Sequence, residues 1–109
     1  MENPVTTLRI EHAIHDYDQW KAAFDNCARV RANAGVRGHA IRRPVEDPHY
    51  LMLDLEFDTA DAAGKFAQFL EQQVWSSPDS APALAGVPRT RLLELRGTDW
   101  GAAVPGETD

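Results

Sequence analysis

Every second residue from Leu51 to Phe57 is a large hydrophobic one. Successive side chains of a β-strand point to opposite faces of a sheet, so this period of two predicts a strand over residues 49–57 with one buried face. The opposite face of this strand holds the alternate residues Tyr50, Met52, Asp54 and Glu56. A chain with such a strand has to supply elements that cover its apolar side.

Three other segments are expected to be strands of the same sheet. They are residues 7–14, 36–43 and 89–95. In the first, one face is apolar except for His12. In the second, the assignment of side chains to the two faces is left undecided, because Gly38 is a candidate for a bulge that changes the alternation. Two prolines within residues 44–48 predict a turn, so the second and third strands should form a hairpin.

Two helices are predicted between these strands. Asp16 lies three residues before a glutamine, the spacing of a capping box, and Gly35 is a typical helix end, so one helix is expected from residue 16 to residue 34. Its apolar stripe comprises Tyr17, Trp20, Phe24, Cys27, Val30 or Arg31, and Ala34. The second helix is expected to be capped by Asp58 or Thr59 and to end near Trp75.

The order of elements, β-α-β-β-α-β, predicts an α+β fold of the ferredoxin-like type with an antiparallel four-stranded sheet. Because parallel crossovers are right-handed, both helices should cover the same face of that sheet. A chain of 109 residues supports one domain, which we assign to residues 1–97. A short helical turn is expected near residues 82–84, and residues 98–109 are expected to be a flexible tail, although Trp100 within it is a candidate for docking.

The face of the sheet without helices has two interpretations. It is either exposed to solvent or stacked against the same face of a second copy, and we expect the homodimer because a small domain gains burial by pairing. The side chains that this open face should share are Arg9, Glu11, Tyr50, Met52, Asp54 and Glu56. Their charges would form ion pairs at the dimer interface, which is a simpler interpretation than a carboxylate pair for acid–base catalysis.

The net charge of −6 argues against binding to nucleic acid or to an anionic membrane surface. The single cysteine, Cys27, excludes an intrachain disulfide, and its place on the apolar stripe predicts a buried, unreactive thiol. Because the sequence has no recognisable signal peptide or long apolar run, we expect a cytoplasmic protein.

Two histidines are the candidate catalytic residues. His12 interrupts an apolar strand face, where it can serve as a base or as a hydrogen-bond donor, or simply be a satisfied core histidine. His39 faces the same pocket if the alternation of its strand holds. His12 and His15 are three apart on a strand and should point to opposite faces, so no metal site is expected.

Three aromatic residues are the candidate ligand contacts. Tyr17 and Trp20 lie on the helical stripe and are also explained as core residues. Trp75 falls where the second helix ends, a position suited to the lip of a cleft that holds a planar ligand.

The chain resembles the dimeric α/β-barrel superfamily, near the antibiotic-biosynthesis-monooxygenase-like proteins. The resemblance covers residues 6–96 and is carried by residues 16–24, 34–36, 54–57, 75–78 and 91–95. It implies that two ferredoxin-like domains form a dimeric barrel. Members of the superfamily include cofactor-independent quinol oxygenases, haem-degrading enzymes, polyketide cyclases, lactone isomerases and proteins without demonstrated activity.

Two hypotheses about function follow. In the first, the chain is a cofactor-independent monooxygenase or a cyclase that acts on aromatic or polyketide-like substrates, with His12 or His39 as base and Trp20 and Trp75 as pocket walls. In the second, it is a non-catalytic ligand-binding or accessory dimer. Haem binding is a lesser variant of the first hypothesis.

Overall fold

The computed structural model describes residues 5–76 and 84–97. Its strands are β1 (Thr6–Ala13), β2 (Gly38–Arg42), β3 (Tyr50–Phe57) and β4 (Arg89–Glu94). They form one antiparallel sheet in the order β2-β3-β1-β4. The predicted ferredoxin-like α+β fold is therefore confirmed, and each strand begins and ends within two residues of its predicted bounds.

Three α-helices and one π-helix lie on one side of this sheet. They are α1 (Tyr17–Asn26), α2 (Ala28–Ala34), α3 (Ala60–Phe69) and the π-helix Leu70–Val74. The Asp16 carboxylate accepts the Gln19 N–H at 2.8 Å, and the Thr59 hydroxyl accepts the Ala62 N–H at 3.1 Å. Gly35 ends α2 with φ of 93°, in the left-handed region that favours glycine. Of the two candidate caps of the second helix, Thr59 is therefore the one used.

The single helix predicted over residues 16–34 is wrong, because the chain breaks its helical course at Cys27. In a continuous helix the Phe24 carbonyl would accept the N–H of Ala28. Here it accepts the Cys27 N–H at 3.1 Å and the Arg31 guanidinium. The competing donors satisfy that carbonyl locally, so the helix ends and restarts as α2.

The hydrophobic core lies between the helices and the apolar face of the sheet. Leu51, Leu53, Leu55 and Phe57 are all buried there, as predicted. Trp20, Phe24 and Phe66 meet them from the helices, and Leu70 packs at the margin. The register of β2 against β3 is continuous from Gly38 opposite Glu56 to Arg42 opposite Met52, so Gly38 causes no bulge.

The opposite face of the sheet carries paired polar side chains. Arg9 binds Asp54 through two hydrogen bonds of 2.8 Å, and Arg42 adds a third contact at 3.3 Å. The Tyr50 hydroxyl donates to Glu11 at 3.1 Å. Of the charges expected to pair at the dimer interface, Arg9 and Asp54 instead pair within one protomer, and Glu11 and Glu56 accept hydroxyl groups rather than forming ion pairs among the described residues.

Two predicted features lie partly or wholly outside the described residues. The tail at 98–109, with Trp100, is outside them, and so is most of the predicted turn at 82–84. Leu84, the one described residue of that turn, forms an isolated antiparallel bridge with Ile14. No helix in residues 5–76 or 84–97 has the length and hydrophobicity needed to cross a membrane.

Candidate functional site

A cavity of about 140 Å³ lies between the sheet and the helices and is partly open to solvent. Its walls are almost entirely apolar. The sheet contributes Ile10, His12, Leu53 and Leu55, and α1 and α2 contribute Trp20, Ala23, Phe24 and Arg31 with Cys27 between them. The remaining wall consists of Phe66, Leu70, Val74, Trp75 and Leu84.

His12 is the polar side chain that the sheet places in this wall. It is only 4% exposed, because it lies on the helix-covered face of β1 opposite Leu51. Its Nδ1 is 2.9 Å from the carbonyl oxygen of Ala13. A carbonyl oxygen can only accept, so Nδ1 carries the proton and Nε2 is the basic nitrogen. Among the described residues, Nε2 has no hydrogen-bond partner.

Burial favours the neutral form of the His12 imidazole. Removal from water lowers the pKa of His12 below its ordinary value, and the hydrogen bond to Ala13 opposes this effect only in part. A neutral imidazole with an unprotonated Nε2 is the form that can accept a proton from a bound molecule.

His39 lies on the helix side of β2, opposite Leu55, but not in the cavity wall. Its ring meets the edge of the Phe24 ring at a centroid distance of 4.9 Å, and the side chain is exposed. The two candidate histidines therefore lie on the same side of the sheet, and only His12 lies in the cavity wall.

Two of the three candidate aromatic contacts line the cavity, and the third does not. Trp20 and Trp75 line the cavity, whereas Tyr17 packs outside it, with its ring 6.1 Å from that of Trp20 and the Arg43 guanidinium 4.7 Å above it. Trp20 stacks on Phe24 with ring centroids 5.0 Å apart. Tyr17 can therefore support the wall through Trp20 but has no contact with the cavity.

The position of Trp75 depends on the π-helix that follows α3. The Trp75 N–H donates to the Leu70 carbonyl at 2.7 Å, five residues back, where an α-helix would use the residue four back. Single-turn π-helices are often found at functional sites. This widened turn carries Leu70, Val74 and Trp75 into the same wall.

Two polar residues of the wall were not predicted as site residues. Cys27 is exposed at the break between α1 and α2, so the expected buried thiol is wrong. Arg31 is half-buried and lies in the wall, whereas its neighbour Val30 is 41% exposed. The signal for Arg31 was its position seven residues after Phe24, on the apolar stripe.

No metal site emerges from the described part of the chain. His15 is exposed while His12 is buried, as expected for positions three apart near the end of a strand. Within residues 5–76 and 84–97, no three histidine, cysteine, aspartate or glutamate side chains are grouped so that they could hold a metal ion.

The fold is shared with several proteins of known structure. A candidate antibiotic biosynthesis monooxygenase from Bordetella bronchiseptica matches with a TM-score of 0.65 at 13% identity, covering 86% of this chain and 99% of its own. SnoaB, a cofactor-independent oxygenase from Streptomyces nogalater, matches with a TM-score of 0.62 at 18% identity, covering 88% and 97%. A dimeric ferredoxin-like protein from an uncultured marine organism matches with a TM-score of 0.59 at 9% identity, covering 89% and 100%.

The chain has the fold of these proteins. The resemblance to antibiotic-biosynthesis-monooxygenase-like and dimeric ferredoxin-like proteins is thus confirmed at the level of architecture. No family model matches the sequence, and no curated protein matches it. Identities of 9–18% carry no residue roles across, so the chemistry has to be argued from the cavity itself.

Proposed function

We propose that this chain forms a homodimer that binds a small planar aromatic molecule in the cavity and removes a proton from it, without a bound cofactor. The observation that carries the proposal is the buried His12, with its Nδ1 bound to the Ala13 carbonyl, in an otherwise almost apolar wall. The likeness in fold to SnoaB, a cofactor-independent oxygenase, supports this reaction class.

The cavity is suited to a ligand of one or two rings. An apolar cavity of about 150 Å³ holds one benzene-sized molecule, and this one is of similar size and partly open, so a second ring can extend outward. Trp20 and Trp75 offer indole surfaces, which pack well against planar rings. Haem is too large for this cavity, and titration with haemin is expected to produce no Soret shift.

The proposed chemistry begins with proton transfer to Nε2 of His12. The acid is a C–H group between a ring and a carbonyl, or a phenolic O–H, and its loss leaves an electron-rich enolate or phenolate. In an oxygenase, O₂ is the co-reactant: a CH₂ group and O₂ give a carbonyl group and water. In a cyclase, the enolate carbon attacks a carbonyl carbon of the same molecule, and the oxygen of that carbonyl takes up the proton.

The dimer is proposed to form through the open sheet face. Cross-strand pairing places four arginines and three carboxylates on this face, so positive and negative groups are nearly balanced there: Arg9, Arg42, Arg89 and Arg91 with Glu11, Asp54 and Glu56. A second copy therefore meets little net repulsion despite the charge of −6 on the whole chain. The dimeric ferredoxin-like neighbour supports a homodimer, and the choice of this face rests on its charge balance.

The test measures proton abstraction separately from oxidation. Incubation of 2-tetralone with the protein in D₂O under argon is expected to accelerate hydrogen–deuterium exchange at the acidic methylene, as followed by NMR. His12→Ala should lower the protein-dependent rate by about a hundredfold or more. His15→Ala is the matched control, since His15 is exposed and outside the cavity. His39→Ala should also retain the rate, because His39 does not face the cavity.

Two outcomes would contradict the proposal. If 2-tetralone binds without any acceleration of exchange, the chain is the non-catalytic ligand-binding or accessory dimer of the second hypothesis. If His12→Ala retains the full rate, the base has been assigned to the wrong residue. Where exchange is accelerated and depends on His12, admission of O₂ distinguishes the oxygenase from the cyclase, because only the oxygenase consumes O₂ together with the substrate.

A further inference from the structure

We infer that the ligand of this cavity carries a carboxylate, and that Arg31 binds that carboxylate at the cavity wall. This inference rests on the proposed function, in that it takes the cavity to be the binding site. It adds the charge of the ligand and a residue that selects for it.

Two contacts hold the Arg31 side chain in place and leave most of its N–H donors free. The centre of its guanidinium lies 3.5 Å from the centroid of the Phe24 ring, and one Nη1–H donates to the Phe24 carbonyl. A guanidinium has five N–H donors, and the Phe24 carbonyl accepts only one of them, so the others remain for a ligand. The side chain is therefore oriented in advance and still has donors to offer a ligand.

Among the described arginines that form no ion pair, Arg31 is the one that lines the cavity; the others are Arg29, Arg43, Arg89 and Arg91. In the described residues, Arg9, Arg37, Arg42 and Arg96 form ion pairs with carboxylates. Arg31 forms none within the same part of the chain. Cys27 and then Asp25 are near enough to favour its charged form, but neither forms an ion pair with it, and the Asp25 carboxylate binds Lys21 at 2.9 Å.

The surroundings make an anionic ligand favourable at this point. Burial lowers the pKa of Arg31 from its ordinary value, which shows that its charge is partly removed from water. The guanidinium stays protonated, because its ordinary pKa is so high. A carboxylate that enters the apolar cavity with its ring would compensate that charge with charge-assisted hydrogen bonds.

The number of cationic groups indicates a carboxylate rather than a phosphate. Arg31 is the only cationic side chain in the described wall of the cavity. One planar guanidinium matches a single planar carboxylate in a bidentate geometry. The remaining wall is apolar apart from His12 and the Cys27 thiol, and would leave the further oxygens of a phosphate without donors.

The test compares two ligands of the same shape and different charge. 2-Naphthoate and 2-naphthalenemethanol are titrated into the full chain at neutral pH, with binding followed by calorimetry. We expect the native chain to bind the carboxylate about tenfold more tightly or better, as charge-assisted hydrogen bonds would give. Arg31→Met should bring the two affinities close to equal, and Arg31→Lys should keep part of the preference.

A matched control is available on the same helix. Arg29 is exposed and does not line the cavity, so Arg29→Met removes the same charge from α2 and should leave the preference unchanged. Because each variant is read as a ratio of two affinities, a loss of stability in Arg31→Met does not by itself change the readout.

The outcomes separate this inference from the proposed function. If the native chain binds both ligands equally, or if Arg31→Met keeps the preference, Arg31 does not select for a carboxylate, while the aromatic cavity stands. If the native chain binds neither ligand, the cavity is not a binding site for such molecules and both proposals fail.

Discussion

Arg9 and Asp54 occupy directly opposite positions on β1 and β3 and are joined by two parallel hydrogen bonds of 2.8 Å. Asp54 is only 8% exposed, and Arg42 approaches the same carboxylate from β2. These hydrogen bonds raise the pKa of Arg9, as expected when an anion stabilises the charged guanidinium. One carboxylate thus connects three of the four strands on the open face.

We expect Asp54→Asn to lower the free energy of unfolding by about 2 kcal/mol, less than a fully buried pair because the Arg9 side chain is 34% exposed. The loss arises because two arginines remain without their shared anion. Urea denaturation measures it. The matched control is Asp58→Asn, which breaks an exposed pair with Arg37 and should change stability by less than about 0.5 kcal/mol. Equal effects in the two variants would contradict this account.

The proposed dimer can be tested with one added charge. Met52 lies half-buried at the open face, opposite Glu11, and Met52→Asp would place two further carboxylates in a twofold interface. We expect the native chain to sediment as a dimer and Met52→Asp as a monomer. Val45→Asp adds the same charge at a wholly exposed position and should remain dimeric. A native chain that sediments as a monomer at micromolar concentration would refute the dimer.

The buried His12 predicts a specific dependence of stability on pH. Its pKa is lowered in the folded chain, so the unfolded chain binds the proton more readily. The free energy of unfolding should therefore fall as the pH decreases below about 6.5, by at most about 1.4 kcal/mol per pH unit. Denaturation at several pH values between about 5 and 8, the range in which histidine titrates, measures this slope.

His12→Leu is the variant that isolates this effect, and it should remove the histidine contribution to the slope. The Ala13 carbonyl loses the imidazole but still accepts the Ala85 N–H at 3.0 Å, so no backbone group is left unpaired. His49→Gln, a change at an exposed position, should keep the native slope. If His12→Leu and the native chain show the same slope, His12 does not control it.

The two tryptophans of the cavity should differ in what they contribute. Trp20 is 8% exposed and stacks on Phe24, so Trp20→Ala should cost about 3 kcal/mol of stability. Trp75 is half-buried at the end of the π-helix, and Trp75→Ala should cost less. Trp75→Ala should instead weaken binding of 2-naphthalenemethanol by about three- to tenfold through lost ring contact. Denaturation and calorimetric titration separate the two effects, and an unchanged affinity would remove Trp75 from the site.

Local patterns in the sequence were sufficient for the architecture. The alternation of Leu51, Leu53, Leu55 and Phe57 and the cap at Asp16 depend on neighbours a few residues away, which is the range over which strand and helix signals act. The helix break at Cys27 was not visible, because it depends on the Arg31 side chain reaching the Phe24 carbonyl.

The sequence by itself determined the order of the elements, the covered face of the sheet and the position of His12 on that face, because periodicity assigns side chains to faces without knowledge of their partners. Only the tertiary structure decided which residues share the cavity. It left His39 outside the wall in contact with Phe24, brought Trp75 into the wall through a π-helix and exposed the Cys27 thiol. The cavity itself joins residues distant in the chain, such as His12, Arg31 and Trp75, and such contacts leave no local pattern in the sequence.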